Sequence, residues 1–408
     1  MTATIKGLDR LARRVVEAQS SLVHLVEQSA LHLDGAVTWG QFLDSPRKVG
    51  QYGIYGTSAA IRILAGADHT ENSPLISKAL RALPEVGPSD LSERIYDSTD
   101  LAITFKVTAI LDAAQPQRLK FESVEPIETR ILAQVIDGHG WGNYHDTADQ
   151  DDSPRLLPTA HAMISLRRSR QFRTSGACAR ILDWFCHEVL RGQPLPKHEA
   201  ALALLVLVEY ASEGVQSCAY GTARADLQEQ LTIWAQRERT PILAETTSNH
   251  YWAVSNGVPH NQYLFYVPDL LGALALLRSG NPKKARRRVL KIVDALCSSI
   301  SAQNGFRSAT SRRIASVDQL WAWLLLQEFH QIHQQQPQLL VRPLAYLVTA
   351  TLFRRFAAST TMAVVGALGT LAGVLGSLPV VVRAAGGAIA TVSLGLLVSL
   401  LVVWLRGD

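Results

Sequence analysis

Six apolar segments of helical pattern recur between residues 1 and 337, each entered from a polar or glycine-containing loop. They start at Thr57, Asp100, Thr159, His198, Asp269 and Asp318, in stretches such as GTSAAIRILA, KHEAALALLVLVEY and VPDLLGALALL. Their apolar side chains recur with the period of a helix, and little in this region alternates as a strand does. Thr and Asp open five of the six. Their side-chain oxygens can accept from the unpaired N–H groups of a first helical turn, so these positions read as N-caps. Between them run charged, amphipathic stretches at 5–31, 74–83, 127–136, 176–191, 223–239 and 283–300. A helix apolar on every side must be surrounded, whereas an amphipathic one can face water. The expected fold class is therefore all-α: an inner ring of apolar helices inside an outer ring of amphipathic ones, about twelve in six pairs.

The C-terminal part has a different composition. Residues 359–382 and 384–405 are two uncharged apolar runs separated by Arg383, each as long as the ~20 residues that span a bilayer core. Small residues recur at every fourth position: Gly369, Gly373 and Ser377 in the first run, and Gly387, Thr391, Gly395 and Ser399 in the second. Such stripes allow close helix packing in lipid. The expected organisation is a helical domain at 1–337, a basic linker at 338–358 and a transmembrane hairpin at 359–382 and 384–405. Arg342, Arg354 and Arg355 before the hairpin, and Arg406 after it, place both termini in the cytoplasm and the chain in the inner cell membrane as a multi-pass protein. The hairpin would also carry any homo-oligomer.

The formal net charge is +5, and most of it lies in the basic flank of that tail, so no nucleic-acid partner is expected. A second basic cluster, Lys283, Lys284, Arg286, Arg287, Arg288 and Lys291, suits either a solvated helix end or an anionic surface. Cys178, Cys186, Cys218 and Cys297 show no CxxC spacing and read as buried thiols. Cys186 and His187 are adjacent, and adjacent helix positions point ~100° apart, so no metal site is expected. No phosphate loop, HExxH or GxSxG is present, and no cofactor is expected.

Three stretches carry a resemblance: QYGIYGTSAAIRILA, GHGWGNYHDTADQDDSPRLLPTAHAMISL and NGFRSATSRRIASVDQLWAWLLL. In each, a glycine-and-aromatic turn leads towards an apolar helix. The arrangement resembles the (α/α)6 toroid of the terpenoid cyclases, protein prenyltransferases and squalene cyclase repeat superfamily. Asp149, Gln150, Asp151 and Asp152 spell DxDD, which in class II terpene cyclases supplies the acid that protonates an isoprenoid. There the motif runs directly into Thr-Ala of an inner helix. Here residues 153–158 intervene before Thr159 and Ala160, so the carboxylates are expected in a loop. The resemblance implies Asp149, Asp151 and Asp152 as catalytic candidates. The loops at the inner-helix starts would converge on a central cavity, giving Tyr55, Trp141, Tyr144, His145, Trp252, His260, Tyr263, Tyr266 and Arg307 as ligand-binding candidates.

Together these features predict a membrane-anchored binding or sensing module that couples a small-molecule ligand or a partner to the two-helix element, as a bacterial signalling or defence effector would. The alternative is a membrane-bound enzyme of the terpene cyclase or prenyltransferase kind, acting on an isoprenoid or other lipid.

Overall fold

The computed structural model describes residues 2–33, 36–40, 42–44, 54–67, 73–82, 131–133, 135–142, 153–192, 194–211, 218–238, 240–255, 258–280, 282, 284–308 and 313–340. In chain order these hold α1 (Thr2–Gln28), β1 (Leu31–Leu33), β2 (Ala36–Thr38), α2 (Ile54–Gly66), α3 (Ser73–Ala82), α4 (Leu156–Leu166), α5 (Arg170–Arg173), α6 (Gly176–Arg191), α7 (Lys197–Glu209) and α8 (Cys218–Arg237). There follow β3 (Thr247–Ser255), β4 (Val258–Tyr266), α9 (Pro268–Arg278), α10 (Arg286–Gln303) and α11 (Ser316–Gln335). The described chain is mostly helical, in an arrangement consistent with an α/α toroid.

The inner helices form a consecutive chain, with α4 on α7, α7 on α9, α9 on α11 and α11 on α2. Their burial follows from their composition. Every residue from Ala200 to Leu207 of α7 is buried or nearly so, as is every residue from Pro268 to Leu277 of α9. Outside them, α6 packs on α8, α8 on α10, and α10 on α1. These outer helices bury one stripe each. In α6 it is Cys178, Ile181, Leu182, Phe185, Cys186 and Val189, and in α10 it is Val289, Ile292, Val293, Leu296, Cys297 and Ile300. Each such aliphatic or aromatic side chain contributes roughly 1.5–3 kcal/mol on leaving water. The apolar segment from Asp100 lies outside the described residues.

The helix starts differ from the expected N-caps. Thr57 and Thr159 stand one turn inside α2 and α4, and the residues before α4, α7, α9 and α11 make no side-chain cap. The two threonines bond instead to the preceding loop. Thr159 Oγ1 accepts from Trp141 N at 3.0 Å and donates to Trp141 O at 3.3 Å. Thr57 Oγ1 treats Trp39 in the same way, at 3.1 and 3.5 Å. In α11 the corresponding side chain is an amide: Gln319 Oε1 accepts from Phe306 N at 2.8 Å and Gln319 Nε2 donates to Phe306 O at 2.7 Å. Each latch satisfies both backbone groups of a buried aromatic residue, which would otherwise be costly to bury. Gly56 permits one of these approaches, since a Cβ there would lie 2.2 Å from Gly40 O.

Strands appear where the sequence predicts almost none. β3 and β4 pair antiparallel over nine residues each, in the register Thr247↔Tyr266 through Ser255↔Val258. The Asn-Gly pair at 256–257 of the sequence is a strong hairpin signal. Aromatic and polar residues follow each other irregularly along both strands, so the apolar–polar alternation is weak.

The membrane architecture is corrected. Among the described residues no helix is long and apolar enough to cross a membrane. The longest ones, such as α1 with Asp9, Arg10, Arg13, Arg14 and Glu17, carry a charged face. The expected spans 359–382 and 384–405, with Gly369, Gly373, Gly387 and Gly395, lie outside the described residues. The reading as a multi-pass inner-membrane protein joined through transmembrane helices therefore has no structural support.

Candidate functional site

The inner helices start at one end of the fold. Lys197 and Asp269 pair at the starts of α7 and α9, and Arg278 at the end of α9 pairs with Glu209 at the end of α7 and Glu328 in the later part of α11, so these inner helices run parallel. Contacts between their entry loops agree. Phe42, before α2, pairs with Ala315, before α11, and Leu43 N donates to Ile314 O at 2.9 Å. Asp44 joins the same two loops, accepting from Ile314 N at 2.9 Å and pairing with Arg307 at 3.1 Å, while Arg313 lies over the Phe42 ring. Arg307, a candidate for ligand binding, is thus engaged in holding two entry loops together.

At the centre lies a polar cluster from several inner helices. Tyr266, at the end of β4 just before α9, shares a 2.8 Å hydrogen bond with His161 of α4. Its ring also stands 5.2 Å from that of His198 in α7. Arg62 of α2 is near enough to act on His161 electrostatically. Arg62 thereby links α2 to α4, two inner helices without extensive contact among the described residues. Burial, with His198 and Arg62 adding to it, lowers the His161 pKa to about 3, so this imidazole is neutral at ordinary pH. A neutral ring can donate or accept, as can the phenol beside it, and here the two buried groups satisfy each other.

A buried acid stands at the start of α11. Burial raises the Asp318 pKa to about 7, partly opposed by a hydrogen bond from Ser308. Asp269, at the start of α9, is instead ionically held. Lys197 lies 3.4 Å and Arg288 3.6 Å from it, and it accepts from Leu243 N at 2.7 Å. Lys197 also pairs with Glu238 and Glu245 and sits over the Trp234 ring. This network ties α7 and α9 to the outer wall.

Asp149, Asp151 and Asp152, with Tyr144 and His145, lie outside the described residues. The two ends of their segment are nevertheless described, and they meet: Arg155 N donates to Trp141 O at 2.9 Å, immediately before α4. Trp141 itself is fully buried, its indole N–H donating to Ile131 O at 2.8 Å. Tyr55 is buried in the first turn of α2. Trp252, His260 and Tyr263 lie on the β3–β4 hairpin, paired with Asn261, Ala253 and His250. Sequence reasoning did not single out Arg62, His161, His198 or Asp318 for a site. Each lies within or at the edge of an apolar helix, where a lone polar residue is unusual, and that was the available signal.

Among the described residues no group of three or more His, Cys, Asp or Glu could hold a metal ion. Cys178, Cys186 and Cys297 are buried thiols outside any disulfide, and burial raises the Cys186 and Cys297 thiols to about 12. His187 is exposed beside Asp183.

No protein-family model matches the chain, and no curated protein matches it. Solved structures do share its fold. One is the family 76 glycoside hydrolase of Salegentibacter sp. HEL1_6, an α-1,6-mannanase. It has a TM-score of 0.54 and 12% identity, and the match covers 78% of this chain and 99% of the mannanase. An inactive variant of that enzyme in complex with α-1,6-mannotriose matches with a TM-score of 0.52 and 11% identity, again over 78% and 99% of the two chains. At such identity the likeness establishes the fold alone. It corrects the resemblance to terpenoid cyclases and prenyltransferases: the structures that share this toroid are glycoside hydrolases. The reading of a membrane-coupled module, or of a lipid or isoprenoid enzyme, loses its basis with it, because the neighbours hold oligosaccharides.

Proposed function

We propose that this chain is a carbohydrate-acting toroid that binds an α-linked mannose oligosaccharide at the entry-loop end of its inner helices and hydrolyses it. The observation that carries the proposal is the fold match over nearly the whole length of an α-1,6-mannanase, together with a pair of consecutive aspartates, Asp151 and Asp152, just before inner helix α4. The inactive mannanase variants are themselves altered at two consecutive aspartates. Glycoside hydrolysis needs two carboxyl groups, one to protonate the leaving oxygen and one to act as base or nucleophile. Asp151 and Asp152 are the proposed pair, with Asp149 beside them. His161 and Tyr266, buried and bonded to each other, would support the site from within the fold rather than touch the sugar.

The test is direct. The purified chain is incubated with α-1,6-mannotetraose, and the shorter products are quantified by chromatography. Asp151→Asn and Asp152→Asn are each expected to lower the rate by roughly 10³-fold with unchanged thermal unfolding. A wild-type chain that binds the sugar but releases no product over days would assign binding without hydrolysis. One that does neither would end the proposal.

A further inference from the structure

Two of the helix latches are built to one plan. Trp39 precedes Thr57, and Trp141 precedes Thr159, by the same 18 residues. In each, the threonine hydroxyl meets both backbone groups of the tryptophan. In each, too, the indole N–H donates to a carbonyl earlier in the chain, Val26 O at 2.7 Å or Ile131 O at 2.8 Å. What the two units enclose differs. Residues 40–56 hold one acid, Asp44, which ties the loop before α2 to that before α11. Residues 142–158 hold four: Asp146, Asp149, Asp151 and Asp152.

The second latch carries an extra bond. Trp141 O accepts from Arg155 N at 2.9 Å as well as from Thr159 Oγ1, so the chain leaves and re-enters the described fold at one carbonyl. Gly140 lies close against it, since a Cβ there would stand 2.5 Å from Thr159 Oγ1. Asp152 is three residues before Arg155, and three residues of chain reach at most ~11 Å. The tether between them is stiff. Pro154 has a fixed φ, and it disfavours helical backbone at Ser153. Arg155 is itself extended, with φ −126° and ψ 147°. A shift of Trp141 therefore passes along the chain towards Asp152 with little slack to absorb it.

We infer that Thr159 is a positioning residue for the hydrolysis proposed above, its clasp on Trp141 fixing the point from which Asp151 and Asp152 are held. This rests on that reading of the function. Thr159 is wholly buried and acts through the backbone of Trp141 rather than on the sugar. The two carboxyl groups of a glycoside hydrolase must keep a set separation about the bond they cleave. Misplacing a catalytic group by ~1 Å can cost roughly 10²-fold in rate. Loss of the clasp is a loss of placement, so it falls on kcat and spares KM.

The repeated latch supplies the control. Thr159→Val and Thr57→Val each remove one clasp, and both should lower the urea midpoint. Thr159→Val is expected to lower kcat on α-1,6-mannotetraose by roughly 10–100-fold with KM within about threefold, while Thr57→Val leaves both within about twofold. Thr159→Ser keeps the hydroxyl and should restore kcat. Gly140→Ala presses on the same oxygen from the loop side. It should repeat the Thr159→Val pattern, and it takes the place of that variant if the valine does not fold. A double-mutant cycle separates positioning from general damage. In an Asp152→Asn background, Thr159→Val should lower the residual rate by less than about threefold, because the group it places is already disabled. Full multiplication of the two effects, or equal losses in Thr159→Val and Thr57→Val, overturns the positioning role and leaves the hydrolase standing. So does an unchanged kcat in Thr159→Val. A wild-type chain that releases no product from mannotetraose overturns the positioning role together with the hydrolase.

Discussion

Asp318 and His161 show how burial sets the chemistry of single residues here. Both are almost wholly enclosed, and in both cases enclosure favours the neutral form. Their effects on stability have opposite signs. Folded Asp318 keeps its proton to about 7, whereas an ordinary aspartate loses it near 3.8. Between those values the folded chain binds the extra proton, so this contribution is full below the lower value and is lost as pH rises towards the upper one. His161 stays neutral down to about 3, so between its ordinary 6.5 and that value the unfolded chain binds more protons and stability falls as pH drops. Asp318→Asn retains a partner for Ser308 and cannot ionise. It is expected to raise the urea midpoint at ~pH 8, where each unit of displaced pKa is worth about 1.4 kcal/mol, and to leave it nearly unchanged at ~pH 4. Equal midpoints for variant and wild type at ~pH 8 would show that Asp318 ionises freely in the folded chain.

Helices in this molecule are located by what their first turns do to the loops before them. A threonine near a helix start usually caps it, but Thr57 and Thr159 lie one turn inside and clasp the backbone of a buried tryptophan. The reason is accounting of polar groups. An entry loop that buries its aromatic residue also buries an N–H and a C=O that no ladder satisfies, and one hydroxyl can serve both. Thr159→Val keeps the shape and removes both bonds. It should cost about 1–3 kcal/mol, read as a lower urea midpoint, while Thr159→Ser should recover most of the loss. If Thr159→Val unfolds at the wild-type midpoint, the latch contributes nothing and Trp141 is held by packing alone. The hairpin is the converse case. Its strands, Thr247–Ser255 and Val258–Tyr266, mix aromatic and polar residues along their length, so no period of two stands out and the helical reading missed them.

For the whole molecule the decisive packing is between distant parts of the chain. α1 lies against both α10 and α11, and Arg14 reaches Asp294 and Ser298. The first outer helix thus covers the last helices described. Removing residues 2–28 would expose Val15, Ala18, Leu22 and Val26, the stripe they cover on α11, and the indole of Trp39, which donates to Val26 O at 2.7 Å. Such a truncation is expected to abolish cooperative thermal unfolding rather than lower its midpoint. A cooperative transition in the truncated chain would show that the ring holds without α1.

The helical class, the inner and outer sets and most helix bounds were legible because burial on all sides and burial on one side leave different periods in a sequence. So was the adjacency of Asp151 and Asp152, which is a property of the chain itself. The central cluster was not legible. Arg62, His161, His198 and Tyr266 are far apart in sequence and come together only because parallel inner helices turn one side inward. Nor did composition reveal what kind of ligand the toroid suits: apolar helices with aromatic turns are what any such ring requires, so the pattern fitted lipid enzymes as well as glycoside hydrolases. The pairing of Thr247 with Tyr266 at the base of the hairpin follows from strand register. Register depends on pairing between strands, and only the tertiary structure decides it.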